Sequence, residues 1–151
     1  MAIKRITDVF ASRLKAKRML REITLLRMLE FEYFVKILDV FEPRPDSDKG
    51  GSDDEVELGK FDTLYIVMEF LPEGDMKSFI KSDVYLRIDH VQNIIYNLLL
   101  ALKYLQSASV IHRDLKPGNI LIYSSTKVKI CDFGLARSIR GIKSTHDLIR
   151  I

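Results

Sequence analysis

Four side chains have types and spacing that could do chemistry together. Residues 112–119 read His-Arg-Asp-Leu-Lys-Pro-Gly-Asn, and Asp132-Phe133-Gly134 begins thirteen residues after Asn119. Asp114 can orient a hydroxyl and take its proton. Lys116 can neutralise charge on a phosphoryl group in flight. Asn119 and Asp132 offer two hard oxygens of the kind Mg²⁺ prefers. The eight-residue run is specific, because each of its residue types occurs at only roughly one position in twenty. A metal-ligand or general-base role can be written for His112, but a structural role suits it better. Cys131, next to Asp132, reads most simply as a small apolar strand residue, since a reactive thiol needs an exposed, electropositive setting.

Composition bounds what can surround these residues. The 151 residues suffice for one ordinary domain with a core; 47% are hydrophobic and 30% charged, as in globular proteins. A single cysteine excludes an intramolecular disulfide and is compatible with a reducing compartment. No apolar run reaches membrane-spanning length, and residues 1–10 hold no uninterrupted apolar segment of a secretory leader. The net charge of +3 is uneven: residues 46–57 carry six acids and one base, which leaves +8 on the remainder. That basic remainder comes without a nucleic-acid motif or interleaved aromatics, which argues against nucleic-acid binding.

The pattern predicts the elements that must hold the four side chains. Residues 1–6 form a strand pattern centred on Lys4. Residues 11–30 predict one helix, with Leu14, Met19, Ile23, Leu26 and Met28 near helical spacing and Glu22 among them. Taken alone, Lys4 reads as a surface lysine on an edge strand and Glu22 as part of a solvated helix face. Residues 33–41 predict a strand with Phe34, Ile37 and Val40 apolar. Residues 43–60 hold two prolines and three glycines without periodicity, so they predict a solvated loop insertion. A strand follows at 63–70, ended by Pro72 and Gly74, and a short helix at 75–81. Asp89, with Gln92 in the capping-box position, predicts the start of a buried helix whose apolar face runs Val91, Ile94, Ile95, Leu98, Leu99, Leu102, Leu105. Val110 and Ile111 lead into the first motif, where Pro117 and Gly118 shape the loop. Short strands are predicted at 120–123 and 127–131.

The two motifs resemble the signature set of protein kinases. The segments 18–29, 96–119 and 129–137 are most similar to mitogen-activated protein kinases, whereas the stretch 68–76 looks more like other kinase groups. Lys116 between Leu115 and Pro117 is the serine/threonine-kinase pattern. The resemblance implies an α+β, two-lobe fold truncated at both ends. Residues 1–70 would be a partial small lobe with the acidic loop 43–60, residues 71–74 the hinge, and residues 75–151 a partial large lobe ending inside the activation segment. It implies that Lys4, in a strand similar to V-A-I-K, grips the α- and β-phosphates of ATP and pairs with Glu22. Met68 would be the gatekeeper. Glu69 and Leu71 would offer backbone groups to adenine, Asp75 would hold the ribose, and Leu121 would lie under the ring.

Further implications concern the surroundings of the motifs. His112 would pack on Phe133, and Leu26 would touch it too. Arg18, Arg21, Arg113 and Arg137 would converge on a phosphorylated threonine. The activation segment should end in A-P-E, which is absent, and Thr145 has no tyrosine two residues on. A glycine-rich strand should precede Lys4. The implied cofactors are ATP and Mg²⁺. The implied partners are protein substrates and an upstream activating kinase, with no nucleic acid and no membrane, in the cytoplasm or nucleus. Missing flanks predict low activity for this chain. A non-catalytic, kinase-like binding or regulatory module is the alternative, which degenerate motifs would favour.

Overall fold

A computed structural model describes residues 1–43, 62–124 and 126–140. The acidic stretch from Asp46 onward and Thr145 lie outside the described residues. Three strands form an antiparallel sheet in the order β1-β3-β2: β1 (Ala2–Thr7), β2 (Ile37–Phe41) and β3 (Thr63–Met68). Lys4 pairs with Ile66 and Ala2 with Met68, which sets Lys4 two pairs in from the end of β3. The predicted strand at 33–41 is shorter than its apolar pattern. Phe34 instead makes a lone parallel bridge to Ile130, with Val35 N–H on Ile130 O (3.1 Å) and Ile130 N–H on Tyr33 O (2.8 Å).

Helix α1 (Arg13–Met28) begins where Ser12, in extended conformation, accepts from Lys15 N–H at 3.1 Å. Its buried face carries Glu22 and Leu26, with Met19 and Ile23 against the sheet core of Val9, Leu64 and Ile66. Leu14 and Met28, expected on that face, are 55% and 71% exposed, because the helix touches the sheet only along its middle turns. Leu26 does join Phe133 in a second core with Phe34, Leu105, Ile130 and Ala136. Phe133 is fully buried and edge-on to Phe34 at 5.4 Å. Burying such a ring contributes about 1.5–3 kcal/mol.

Asp75 caps the five-residue α2 (Met76–Ile80) by accepting Ser78 N–H at 2.7 Å. The long helix α3 (Ile88–Ser107) corrects the sequence reading twice. Its cap is Arg87, in extended conformation without a side-chain cap bond; Asp89 sits in the first turn, paired with Arg87 Nε at 3.1 Å. There its charge favours the helix N-terminus without capping it. Nor is α3 buried all along its apolar face. Ile94, Asn97, Ala101 and Leu105 point inward, while Val91, Ile95, Leu99 and Leu102 are exposed. One stripe suffices to cover the ribbon of β5 (Ile120–Tyr123) and β6 (Lys127–Ile130), whose Ile120, Ile122 and Val128 pack with Met76 and Ile94. A second ribbon joins β4 (Val110–Ile111) to β7 (Arg137–Ser138). The architecture is the α+β, partial two-lobe kind expected.

Candidate active site

Both motifs are held at their ends by short ribbons. The β4–β7 pairing, Val110 with Ser138 and Ile111 with Arg137, brings the residues before His112 beside those after Gly134. The β5–β6 pairing, Ile120 with Ile130, does the same for Asn119 and Cys131, and Cys131 N–H donates to Asn119 O at 3.0 Å. His112 ties the centres. It is buried, Nε2–H faces Cys131 O at 3.0 Å, and Nδ1 accepts Asp114 N–H at 3.2 Å. That pair of bonds fixes the neutral tautomer, and burial lowers the His112 pKa. The ring stands edge-on to Phe133 at 4.8 Å. Both nitrogens are spent on backbone, so the structural reading of His112 prevails.

Within the loop, one carboxylate oxygen gathers the polar groups. Asp114 Oδ2 accepts Lys116 Nζ at 2.7 Å and Asn119 Nδ2 at 3.0 Å, and Asn119 Nδ2 also reaches Asp114 O at 2.9 Å. The Lys116 hydrogen bond first, then Asn119, holds the Asp114 carboxyl below the usual range, and Asp114 in turn raises Lys116. Because Asn119 spends its amide nitrogen on Asp114, its Oδ1 is the acceptor left for a cation. Arg113 (φ 69°) and Asp132 (φ 60°) occupy the left-handed region, at roughly 1–3 kcal/mol each. Gly118 has neither a positive φ nor a neighbour within 4 Å of an added Cβ, so Pro117, opening a single 3-10 turn, shapes this loop and the glycine is not required.

A cavity of about 310 Å³ lies between the sheet and the motifs, lined by Lys4, Glu22, Met68, Glu69, Leu71, Leu121 and Asp132 among others. Lys4 Nζ meets Glu22 Oε1 at 2.6 Å, with Glu22 the more buried partner. Glu69 N–H is committed to Lys36 O at 3.1 Å, and its carboxylate to Lys36 N–H and Lys129. Asp75 does not line the cavity. Its carboxylate caps α2, which keeps its pKa low, while its backbone bridges to Leu121. Cys131 does line the cavity, and burial pushes its thiol up to about 12. Among the described residues no group of three or more His, Cys, Asp or Glu converges on a metal position. Mg²⁺ takes one or two protein oxygens and completes its shell with water and phosphate, so a donor set of Asn119 and Asp132 would suffice for it.

On the other side of α1 the arginines gather. Arg21 Nη1 donates to Gly134 O at 2.7 Å; Arg137 Nη1 donates to Ala136 O at 2.8 Å and Leu135 O at 3.2 Å. Arg18 lies against Gly134. Burial, then Arg21, Arg113 and Arg18, lower the Arg137 pKa, so all four arginines are within electrostatic reach. Of the four, Arg21 and Arg137 line a groove of about 440 Å³ together with Lys17, Leu20 and Ser138. Sequence reasoning missed Lys129. It alternates with the buried Val128 and Ile130 and so reads as solvated, and its partner Glu69 is 60 positions away.

The family model described as "Protein kinase domain" matches residues 1–149. The chain is 44% identical over 138 residues to mitogen-activated protein kinase homolog NTF6 of Nicotiana tabacum, covering 91% of this chain and 34% of that protein. It is 46% identical to mitogen-activated protein kinase 10 of Arabidopsis thaliana, covering 91% and 32%, and 42% identical to mitogen-activated protein kinase homolog 1 of Petunia hybrida, covering 93% and 33%. The chain thus spans about a third of the length of the curated relatives it matches.

Proposed function

This chain belongs to the protein kinase domain family, as its similarity to mitogen-activated protein kinases also indicates, and from that premise we propose that its site transfers the γ-phosphoryl group of ATP to a protein serine or threonine. The observation that carries the reading is convergence. Lys4, Glu22 and Asp132 line one cavity, and Asp132 lies within electrostatic reach of Lys116, which is bonded with Asn119 to Asp114 outside the cavity lining.

In this reading the substrate oxygen attacks the γ-phosphorus, the bond to the bridging oxygen breaks, and ADP leaves. Asp114, kept ionised by Lys116 and Asn119, orients the hydroxyl and accepts its proton. Lys116, 2.7 Å from Asp114, meets the charge on the moving group. Lys4, fixed by Glu22, grips the α- and β-phosphates. Asn119 and Asp132 would hold Mg²⁺, which when bound neutralises phosphate charge. Met68, Glu69, Leu71 and Leu121 frame the base, with the hinge at 71–74 dividing a small lobe (1–70) from a large one (75–151). Asp75 reaches the ribose only by sharing its cap. Arg18, Arg21, Arg113 and Arg137 receive a phosphate placed by an upstream kinase. In this reading the 151-residue chain alone turns over little, and Val91, Ile95 and Leu99 form an exposed apolar face of α3.

The test is Mg-ATP binding and phosphorylation of a generic substrate, with Asp114→Asn as control. ATP binding with weak turnover that Asp114→Asn abolishes is expected. Robust turnover sinks the low-activity proposal. No ATP binding, even by a version extended at both ends, leaves the non-catalytic module standing instead.

A further inference from the structure

The carboxylate of Glu69 is engaged away from the position at which its backbone would meet a nucleotide. Its Oε1 accepts Lys129 Nζ at 2.6 Å and Lys36 N–H at 2.8 Å, while Glu69 N–H donates to Lys36 O at 3.1 Å. One residue after β3 is thereby tied twice to the entry of β2 and once to β6. Both ionic partners are largely buried, the Lys129 side chain 13% and the Glu69 side chain 26% exposed, and the ammonium also lies 5.4 Å from the Tyr123 ring centre. Lys129 is the register partner of Leu121 in the β5–β6 ribbon, and paired residues of an antiparallel ribbon share a face. Leu121 lines the cavity, as does Asp132, three residues after Lys129. The pair therefore joins the wall of the cavity that carries Met68, Glu69 and Leu71 to the ribbon that carries Leu121 and leads into Asp132.

We propose that Lys129 and Glu69 form a clamp that sets the spacing between the two sides of the cavity and so positions the Glu69 backbone, just before the hinge, for the nucleotide base. Both act as positioning residues: Lys129 works through Glu69, and the Glu69 carboxylate works through its own backbone. The role rests on the proposed nucleotide site, but the clamp itself does not. A charge-assisted bond between mostly buried partners keeps more of its strength than an exposed ion pair, and here it also holds a backbone amide.

The experiment compares the wild type with Lys129→Met, Lys129→Arg and Glu69→Gln. Amide hydrogen exchange is read at Lys36, Glu69 and, as a reference inside β3, Ile66; Mg-ADP affinity is read by titration. In Lys129→Met, exchange at Lys36 and Glu69 speeds up about tenfold, Ile66 is unchanged, and Mg-ADP affinity falls about tenfold. Lys129→Arg restores both readouts, which general damage to the fold would not allow. If Ile66 also exchanges fast in Lys129→Met, the isosteric Glu69→Gln decides the matter at Lys36. Unchanged exchange at Lys36 and Glu69 overturns the clamp. Faster exchange with unchanged affinity overturns its role in positioning. A wild type that binds no Mg-ADP overturns the nucleotide reading and the role with it, while the exchange data still decide whether the pair holds the backbone at Lys36 and Glu69.

Discussion

Arg21 and Glu22 are neighbours in sequence, yet they face two charged environments of opposite design. On the Glu22 side of α1, charges come in pairs: Lys4 with Glu22 and Lys129 with Glu69, with Asp132 beside them. On the Arg21 side, Arg18, Arg21, Arg113 and Arg137 are all of one sign. Arg21 and Arg137 donate to backbone carbonyls, and burial first and then the like charges lower the pKa of Arg137. A paired site is complete as it stands and loses when a partner is removed. A like-signed site is under tension and gains when an anion arrives. One helix can carry both because a step of one residue turns a side chain about 100° around its axis.

The largest expected effect breaks the paired side. Glu22→Ala strands Lys4, and Mg-ATP affinity measured by titration falls roughly tenfold. That estimate is at the low end for truncating a charge pair, because the Lys4 side chain is 39% exposed and solvent screens part of the loss. Glu22→Gln loses less. An unchanged affinity in Glu22→Ala would show that the pair holds nothing in place.

The arginine side should answer in the opposite direction. Arg137→Gln removes like-charge repulsion along with two hydrogen bonds to carbonyls, so stability stays within about 0.5 kcal/mol of wild type. What the variant loses is the response to anions. Wild-type protein in sulfate at ten times its dissociation constant gains about 1.4 kcal/mol, or roughly 3–6 °C in melting temperature, over equal ionic strength of chloride. Arg137→Gln gains less than half of that. Equal gains in both proteins would mean that the groove does not collect anions.

The two environments were not equally legible in the sequence. The motif residues could be read because their partners are close along the chain: Lys116 and Asn119 reach Asp114 across two and five positions. Lys4–Glu22 became legible only through the resemblance, since either residue alone reads as surface. Lys129–Glu69 was illegible, because a lysine alternating with buried Val128 and Ile130 carries no sign of a partner 60 positions away. Asp89 misled for a local reason. Arg87, not Asp89, takes the extended conformation from which the helix starts, and no capping motif marks it. The exposed half of the α3 stripe could not be foreseen either, because periodicity shows that a face is apolar and not how wide a partner covers it.

A smaller effect links the motifs to pH. The folded His112 pKa lies below the ordinary 6.5, mainly through burial, so between the two values the unfolded chain binds the additional proton. Stability from this group is fully present above pH 6.5 and is lost as pH falls through the folded value. Denaturant unfolding at stepped pH should show that slope, and His112→Asn should remove it. Retention of the slope in the variant would assign it to other groups.

The smallest effect compares the two potentials directly, with one thiol in each environment. Cys131 lines the paired cavity, and its thiol stands at about 12, raised first by burial and next by Asp132, with Lys4 opposing. At pH 8 about one molecule in ten thousand is the thiolate, so iodoacetamide alkylates Cys131 far more slowly than a free cysteine. Ser138→Cys places a thiol in the groove lined by Arg21 and Arg137, where positive charge favours the thiolate. Its alkylation should outpace that of Cys131 and should slow as chloride is raised from 0.05 to 0.5 M, an approximate range over which the screening length falls about threefold. A salt-independent rate at position 138 would mean that the carbonyls of Gly134, Leu135 and Ala136 already neutralise the arginines. The groove would then be as complete as the cavity, and the contrast across α1 would lie in geometry rather than in charge.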